Sequence, residues 1–541
     1  MGGVKPLDVA KSALIKANAE QQGFALQTAA MATVFSARET STSIAVGGDP
    51  RTAWMMGREV KKNLPARDAP SARIKLVQKF LAAEISPNFE LIAMLDHGVA
   101  VHHAALSDEI RTLVEWLAEE GDLRVLCATT TIAQGINFPV SSVFLATTQY
   151  KLRRHPFRVD MPPRDFWNLA GRAGRMNQDS VGVVGIAEAN RPADILEYVK
   201  KATGELVSRL VTVVAELDAA QTPDEFVAVI QHEQWEDFRC YVNHLVHEIG
   251  NLEQVLSSAE LSLRNTYGYR VLQESREGQA RAQKLLEATK QYARRISANP
   301  GQVAMADMTG FSFEGVGSAM HGIRSLERDL AIEDFSAARL FGNAGGMADF
   351  YGIMLRIPQL ARNLNDLTTP GTDNRQLAQI TKSWVEGRSI QEIATTYFNS
   401  DDGDVTHAIT EACRAIYRNL INNGTWGLSA LSRLSGIDFE TLSPAQKRQI
   451  DLLPAMIYHG VKTEEGVLMR MNGVPRSIAE RMGEHYQQIP SAAEGVAGIQ
   501  KVRQFLVEAD IETWNRARPA NAPLSGQEYK DVWRVIAGDE R

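Results

Sequence analysis

The chain has 541 residues, of which 44% are hydrophobic and 23% charged, a composition typical of a folded protein with three or four domains. No stretch approaches the roughly 20 apolar residues that cross a bilayer, which argues against a membrane partner. The three cysteines lie far apart, which argues against a disulfide framework and a Cys/His zinc site and favours a reducing cytoplasm. The net charge of -7 disfavours capture of nucleic acid by a generally basic surface, so any nucleic-acid site must be a local groove.

The first part of the chain shows alternating strand-like and helical sequence patterns. Residues 1–40 predict a helical, Ala-rich leader, and residues 41–192 contain five short, almost wholly apolar runs separated by helical patterns. Runs of this kind are typical of parallel strands that helices cover on both faces. The segment therefore predicts one doubly wound, parallel-sheet α/β domain, with strands at 43–48, 98–103, 123–128, 142–147 and 181–187.

The second half predicts a large, mostly α-helical region. After residue 192 the strand signal largely disappears, and apolar residues recur at three- and four-residue spacing. Turns and glycine-rich breaks interrupt the pattern. We expect a helical connector over 193–300, a helical domain over 301–490 and a C-terminal helical tail over 491–541.

A pair of arginines carries the strongest chemical signal. Arg172 and Arg175 are separated only by small residues and follow Gly171, and Asn168 begins the same string. Two guanidinium groups at one helix start suit a triphosphate, because arginine stabilises the charge that develops in phosphoryl transfer. Taken alone, the string is explained equally well as a basic helix turn beside a solvated loop.

A string rich in hydroxyl residues precedes the arginine pair. Residues 128–139 directly follow an apolar run. Such a strand end places hydroxyls and free N–H groups at the carboxyl edge of the sheet, where open α/β folds bind phosphates. The string provides the hydroxyl residues Thr129 and Thr130, followed by a glycine, Gly135.

In order and spacing, these strings resemble the second motor domain of superfamily 2 DExH-box helicases, specifically the superkiller (Ski-like) branch. An upstream string, His102-His103-Ala104, matches the HHAGL-type element of that branch, with Ala105 in place of its glycine. Residues 129–139 resemble motif V, and residues 168–175 resemble motif VI, with asparagine where the branch usually has glutamine. Residues 44–54 resemble motif IV more weakly. The resemblance implies a RecA-like domain over 41–192.

The resemblance also implies a role for each matching residue. Two of them, Arg172 and Arg175, would be arginine fingers on the γ-phosphate of ATP, with Asn168 close to the nucleotide. Three small or polar residues would couple the nucleotide site to the strand-binding face: Gly135, Asn137 and Gly171. The phosphate backbone of a bound strand would contact Thr129, Thr130 and the neighbourhood of His103. Contacts of this kind read the backbone, so we expect no sequence preference.

A basic segment lies between motifs V and VI. Residues 149–158 carry four Lys/Arg and two aromatic residues without an acidic one, on a chain that is acidic overall. In related processive helicases a β-hairpin at this place separates the strands, and stacking on an aromatic ring would contribute about 1 to 3 kcal/mol per base. The alternative is a solvated basic loop. The candidate contact residues are Tyr150, Lys151, Arg153, Arg154, Phe157 and Arg158.

The helical half contains two weaker resemblances to the same branch. Residues 384–393 resemble an element of its helical ratchet domain, so 301–490 would be ratchet-like and the connector winged-helix-like. Residues 460–485 resemble a helix-hairpin-helix element, which grips phosphates through backbone N–H groups at a helix start. Pro475 has no N–H to offer there. Arg476 would substitute by charge, but a purely structural turn explains the segment equally well.

A complete motor of this class needs a G-x-x-x-x-G-K-[ST] loop for phosphates and a DExH box for Mg²⁺. The dipeptide Gly-Lys does not occur in the sequence, so we expect the first motor domain, which would hold most of the ATP and Mg²⁺, to lie outside these residues. The chain then predicts the C-terminal half of an ATP-dependent helicase or translocase, inactive alone. Its partners would be single-stranded or forked DNA or RNA and a P-loop/DExH-containing chain or domain.

A different class of function stays open. A non-enzymatic nucleic-acid-binding or scaffold subunit could retain the fold of a motor domain, because fold does not dictate function. A nuclease or other hydrolase has less support, since no carboxylate cluster shows metal-ligand spacing along the sequence, and we expect no metal site. Nucleic-acid repair, RNA turnover and antiviral (phage) defence all fit a split motor.

Overall fold

A computed structural model describes most of the chain. The described residues are 20–36, 42–130, 140–147, 149–151, 158–161, 163–171, 173, 182–187, 222–231, 235–274, 276–342, 345–365, 374–398, 405–488 and 497–538.

A five-stranded sheet lies at the centre of the first part. Its strand order is β2-β3-β1-β4-β7, and every neighbouring pair is parallel, as the apolar runs predict. The remaining two strands, β5 and β6, pair with each other antiparallel. The strands are β1 Ser43–Gly47, β2 Val99–His102, β3 Val125–Thr129, β4 Ser142–Leu145, β5 Gln149–Lys151, β6 Arg158–Asp160 and β7 Val183–Ile186.

Helices cover this sheet, and every residue of β1, β2, β3 and β4 is buried. Burial on both faces explains why the strands read as continuous apolar runs. Hydroxyl or carboxylate residues cap three of the helices: Asp49 for α2, Ser71 for α3 and Ser107 for α5. The helices are α1 Glu20–Ser36, α2 Pro50–Asn63, α3 Ala72–Glu84, α4 Glu90–Leu95, α5 Asp108–Glu119 and α6 Pro163–Ala170.

The described residues from 222 onward are helical, which agrees with the predicted mostly α-helical region. The helices are α7 Pro223–Ile230, α8 Glu236–Ile249, α9 Leu252–Asn265, α10 Tyr267–Gln273, α11 Arg276–Ser297, α12 Pro300–Thr309, α13 Phe313–Arg324, α14 Ala337–Phe341, α15 Gly346–Met354, α16 Pro358–Leu364, α17 Asn374–Val385, α18 Ile390–Tyr397, α19 Val405–Cys413, α20 Thr425–Leu434, α21 Pro444–His459, α22 Glu464–Met471, α23 Arg476–Gln487, α24 Ala497–Glu508, α25 Ile511–Ala517 and α26 Gly526–Ala537. A short 3₁₀ turn covers Ile332–Asp334, and a π-helical stretch, Arg414–Gly424, joins α19 to α20.

The chain forms two compact units. Unit 1 contains the sheet and is built from described residues within 1–205, 383–418 and 459–541, and unit 2 is built from those within 206–382 and 419–458. The core of unit 2 includes the large buried side chains Trp235 and Tyr292. The domain boundaries expected at 300 and 490 stay predictions.

Among the described residues, no helix combines the length and the apolar character needed to cross a bilayer.

Candidate nucleotide and strand interface

Glycines and threonines meet at the carboxyl edge of the sheet. Gly47 at the end of β1 pairs with Thr129 at the end of β3. A Cβ atom on Gly47 would lie 2.7 Å from Cγ2 of Thr52, so only glycine fits beside the start of α2. At Gly48 the same imagined atom would lie 3.6 Å from Cγ2 of Thr147, which follows β4. This edge therefore combines hydroxyl side chains with closely approaching backbone.

Asp49, the acidic residue that follows β1, is used by the fold. Its Oδ1 accepts a hydrogen bond of 2.8 Å from the Thr52 N–H and one of 3.0 Å from the Thr52 hydroxyl. These bonds cap α2 and satisfy one of its free N–H groups. This carboxylate oxygen therefore serves the start of α2.

The arginine-containing string begins on α6. Phe166 and Leu169 on this helix are buried, whereas Asn168 is exposed. The helix ends where Gly171 donates its N–H to the Trp167 carbonyl at 2.8 Å. The exposure of Asn168 leaves its amide available to a ligand at this surface.

The backbone at Ala173 forms a parallel β-bridge with Val140. Val140 directly follows the string 129–139, so the bridge brings the backbone of Ala173 next to the residue at which the described chain resumes after that string. Four predicted site residues lie outside the described residues, namely Gly135, Asn137, Arg172 and Arg175.

The predicted strand-binding threonines differ in exposure. Thr129 is 5% exposed, whereas Thr130, which follows the strand, is half-buried. Thr130 therefore offers more surface to a bound phosphate than Thr129 does.

His103 is buried and uncharged. Its side chain is 1% exposed, its Nδ1 accepts the Ala105 N–H at 3.2 Å, and its ring packs edge-on against Trp54. Burial, together with the nearby His102, Arg111 and Arg418, lowers the pKa of His103 to about 3. The buried imidazole of His103 thus offers a bound strand neither charge nor much surface, and contact with the neighbouring residues stays a prediction.

The basic segment contains an antiparallel ribbon. Tyr150 pairs with Val159 across β5 and β6, and Lys151 pairs with Arg158. Three further candidate contact residues, Arg153, Arg154 and Phe157, lie outside the described residues. A role of this ribbon in strand separation stays a prediction.

Residues 460–485 contain two helices joined by a short turn. Between α22 and α23, Gly473 adopts a left-handed conformation with φ of 81°, which favours glycine. The helices approach so closely that a Cβ atom on Gly483 would lie 2.7 Å from Cβ of Glu465. The helical pair agrees with the sequence pattern, while its assignment as a helix-hairpin-helix element stays a prediction.

A carboxylate occupies the start of α23. Glu84, the last residue of α3, accepts a 3.2 Å hydrogen bond from the Ser477 N–H and a second one from the Ser477 hydroxyl. Burial raises the pKa of Glu84, although hydrogen bonds and nearby arginines oppose the shift. Helix starts attract anions, and here the anionic partner belongs to unit 1 itself.

The Arg476 guanidinium is held within the fold. It donates to the carbonyls of Trp384 at 3.1 Å and Gly460 at 3.4 Å and to the carbonyl of Arg388. Its Cζ atom also lies 4.2 Å from the centre of the Trp384 ring. These contacts favour the structural-turn explanation over a phosphate role for Arg476.

An ion pair that the sequence does not reveal joins α5 to α22. The Arg470 guanidinium donates to the Glu109 carboxylate, and the side chains are only 12% and 17% exposed. Burial alone would raise the pKa of Glu109, but Arg470 outweighs it and holds that pKa below its usual range. The partners are 361 residues apart, and no local pattern encodes such a contact.

Comparisons with known proteins agree with the motif resemblance over part of the chain. No protein-family model matches. Antiviral helicase SKI2 of Saccharomyces cerevisiae is 35% identical over 120 residues, which are 22% of this chain and 9% of that protein. The RNA helicase DExH12 of Arabidopsis thaliana is 31% identical over 150 residues, 28% of this chain and 6% of that protein.

Activating signal cointegrator 1 complex subunit 3 of Dictyostelium discoideum is 40% identical over 91 residues, 16% of this chain and 4% of that protein. The chain thus spans less than a tenth of the length of these curated relatives. The predicted resemblance to Ski-like DExH-box helicases is confirmed for the matching part.

Proposed function

Because part of this chain is similar in sequence to Ski-like DExH-box helicases, we propose that residues 41–192 form the second, RecA-like motor domain of an ATP-dependent nucleic-acid helicase or translocase. The observation that carries the proposal is the bridge between Val140 and Ala173. The bridge lies next to string 129–139, which would bind the strand, and within string 168–175, which would contact the nucleotide. Binding at one string would therefore affect the backbone of the other.

Arg172 and Arg175 then reach the γ-phosphate of ATP, which a P-loop/DExH domain holds together with Mg²⁺. Bound ATP supplies the free energy for movement. The two guanidinium groups stabilise the negative charge that develops as the phosphoryl group is transferred. Asn168, which is exposed near the end of α6, orients groups close to the nucleotide.

Strand binding follows from the neighbouring residues. Thr130 and Thr129 bind backbone phosphates, and Gly135, Asn137 and Gly171 couple that contact to the nucleotide site. The ribbon of β5 and β6 separates a forked duplex, with Tyr150 or Phe157 stacking on a base. Residues 193–300 and 301–490 are the winged-helix-like connector and the ratchet-like domain of the same motor.

The experiment mixes the chain with a candidate partner that carries a P-loop and a DExH box. We expect nucleic-acid-stimulated ATP hydrolysis in the mixture, and a loss of about 10³-fold or more with Arg172→Ala or Arg175→Ala. Arg516→Ala is the matched control, since Arg516 is exposed and pairs only with Glu512 on its own helix among the contacts described.

Hydrolysis that survives both arginine substitutions would refute the arginine-finger role. Strand binding by the chain, with no hydrolysis in any such mixture, would instead support the non-enzymatic scaffold subunit.

A further inference from the structure

A cluster of potential metal ligands lies on the surface of unit 2. His244 and Glu248 are one helical turn apart on α8, and Asp307 projects from the neighbouring α12. One ligand atom from each of the three lies within 4.8 Å of the other two. His244 Nδ1 is 2.8 Å from Asp307 Oδ1, so an imidazole and a carboxylate already meet between the helices.

The spacing of the two helices is fixed directly behind the cluster. The Asn243 side chain, 1% exposed, donates from Nδ2 to the Val303 carbonyl at 3.1 Å. Val242 and Val246, two residues to either side of His244 along α8, are buried in the same core as Val303. Rigid elements therefore hold His244, Glu248 and Asp307 near one another before any ion arrives.

We propose that His244, Glu248 and Asp307 bind a divalent transition-metal ion, with Zn²⁺ as the best match. One imidazole nitrogen and two carboxylate oxygens form a ligand set that zinc accepts. Zinc ligands at about 2.0 to 2.2 Å in a tetrahedron lie roughly 3.3 Å from each other, so small side-chain rotations suffice. The two carboxylates balance the double positive charge.

The site is open on one side. The His244 and Asp307 side chains are 55% and 24% exposed, which leaves room for a water molecule as fourth ligand. His247 Nε2 lies 3.9 Å from Asp307 Oδ2, on the oxygen that His244 does not contact. That distance is too long for a hydrogen bond, so His247 contributes charge near the site only when it is protonated.

The sequence spacing concealed this site. His244 and Glu248 are neighbours on a helix, but Asp307 lies much further along the chain, and only the packing of α12 on α8 brings it near. The proposed site thus differs from the expectation, based on sequence spacing, that the chain has no metal site.

The test measures zinc binding to the full chain by calorimetry and by the zinc retained after dialysis. We expect one ion per chain, and a loss of at least tenfold in affinity in His244→Ala and in Asp307→Asn. His321→Ala is the matched control, because His321 is exposed on α13 in the same unit and lies outside the cluster. The control should bind zinc like the parent chain.

Thermal unfolding with zinc and with a chelator provides the second measurement. Zinc should raise the melting temperature of the parent chain and of His321→Ala, but not of the two cluster variants, because ligands from two helices bind only the folded state. Equal zinc content in all four proteins would overturn the proposal. So would variants that are destabilised equally with and without zinc, since that result identifies a His–Asp ion pair and nothing more.

Discussion

Glu84 and Ser477 form a helix cap across a gap of 393 residues in the chain, with the Ser477 N–H 3.2 Å from the Glu84 carboxylate. A phosphate would bind at the same N–H groups in a strand-gripping hairpin. In this structure the start of α23 is therefore committed to α3, and residues 464–487 anchor the helical segments of unit 1 to its sheet domain.

Replacing Glu84 separates its hydrogen bonds from its charge. Glu84→Ala removes the acceptor of both Ser477 bonds and should reduce the free energy of unfolding by about 2 kcal/mol. Glu84→Gln keeps an acceptor oxygen and should cost less than half as much. Denaturant titration of both variants checks this order, and equal losses would show that the charge, not the acceptor, is what matters.

The same pair predicts a pH dependence. Because burial raises the folded-state pKa of Glu84 above its usual 4.5, the folded state binds the proton more tightly than the unfolded state. The resulting stability is present below pH 4.5 and is lost as the pH rises through the raised pKa. As the pH rises, the free energy of unfolding of the parent chain should fall relative to that of Glu84→Gln. A difference between the two proteins that stays constant from pH 4.5 to 8 would contradict this prediction.

The Glu109–Arg470 pair should behave as a unit. Removing one partner leaves the other charge buried and alone, so Glu109→Leu and Arg470→Met should each cost about 3 kcal/mol or more. The double variant should cost clearly less than the sum of the two. Because Arg470 lowers the pKa of Glu109, this contribution is lost as the pH falls below about 4.5.

A double-mutant cycle in denaturant, repeated at pH 7 and at acidic pH, checks both statements. Additive losses at pH 7 would mean that the two side chains do not stabilise each other.

Arg476→Gln distinguishes a structural from a phosphate-binding arginine. Loss of three carbonyl contacts and of the stacking on Trp384 should lower the free energy of unfolding by about 2 kcal/mol. The salt dependence of single-strand binding should stay unchanged, whereas loss of a phosphate contact would reduce its slope by about one. Arg388→Gln is the control, an exposed arginine from the same region of unit 1.

Gly460 is required by two constraints at once. It has a φ of 66°, and a Cβ atom there would overlap the indole ring of Trp384. Gly460→Ala should therefore cost about 3 kcal/mol, from the left-handed backbone and from overpacking. Gly387→Ala is the matched control, because Gly387 has a φ of 83° with open space around it and should cost only about 1 kcal/mol.

Thermal unfolding of both variants measures the difference. Equal losses would show that the Trp384 ring moves aside freely and that backbone conformation alone selects glycine at position 460.

Strands were readable from sequence because burial on both faces leaves continuous apolar runs. All five predicted strands of the sheet are present, with only small differences at their ends. Helix ends were less readable. Apolar residues recur at helical spacing over 225–256, which predicts one continuous helix, whereas this range contains the end of α7, all of α8 and the start of α9. Between α8 and α9 the chain breaks at Gly250, which adopts φ of 67°, and restarts with Asn251 as a cap. Apolar spacing continues across that break, so periodicity does not record it.

Some features of the candidate site can likewise be predicted from the sequence, and others cannot. Thr129 falls at the carboxyl edge because its strand was recognised, and its pairing with Gly47 follows from the parallel sheet. The contacts of Glu84 and Glu109 depend on which later helices pack against the sheet domain. In the sequence, a charged residue on an amphipathic helix has the same pattern whether its side chain faces water or a distant partner. Only the folded chain shows that Arg476 is turned toward backbone carbonyls.

Unit 1 is assembled from chain segments that are made at very different times. At 5–20 residues per second, roughly 20 to 80 s separate the synthesis of Glu84 from that of Ser477. During this interval α3 and α5 have emerged, while the helices that cover them do not yet exist. The nascent sheet domain therefore exposes, until the last helices are synthesised, the surface that they cover in the folded chain.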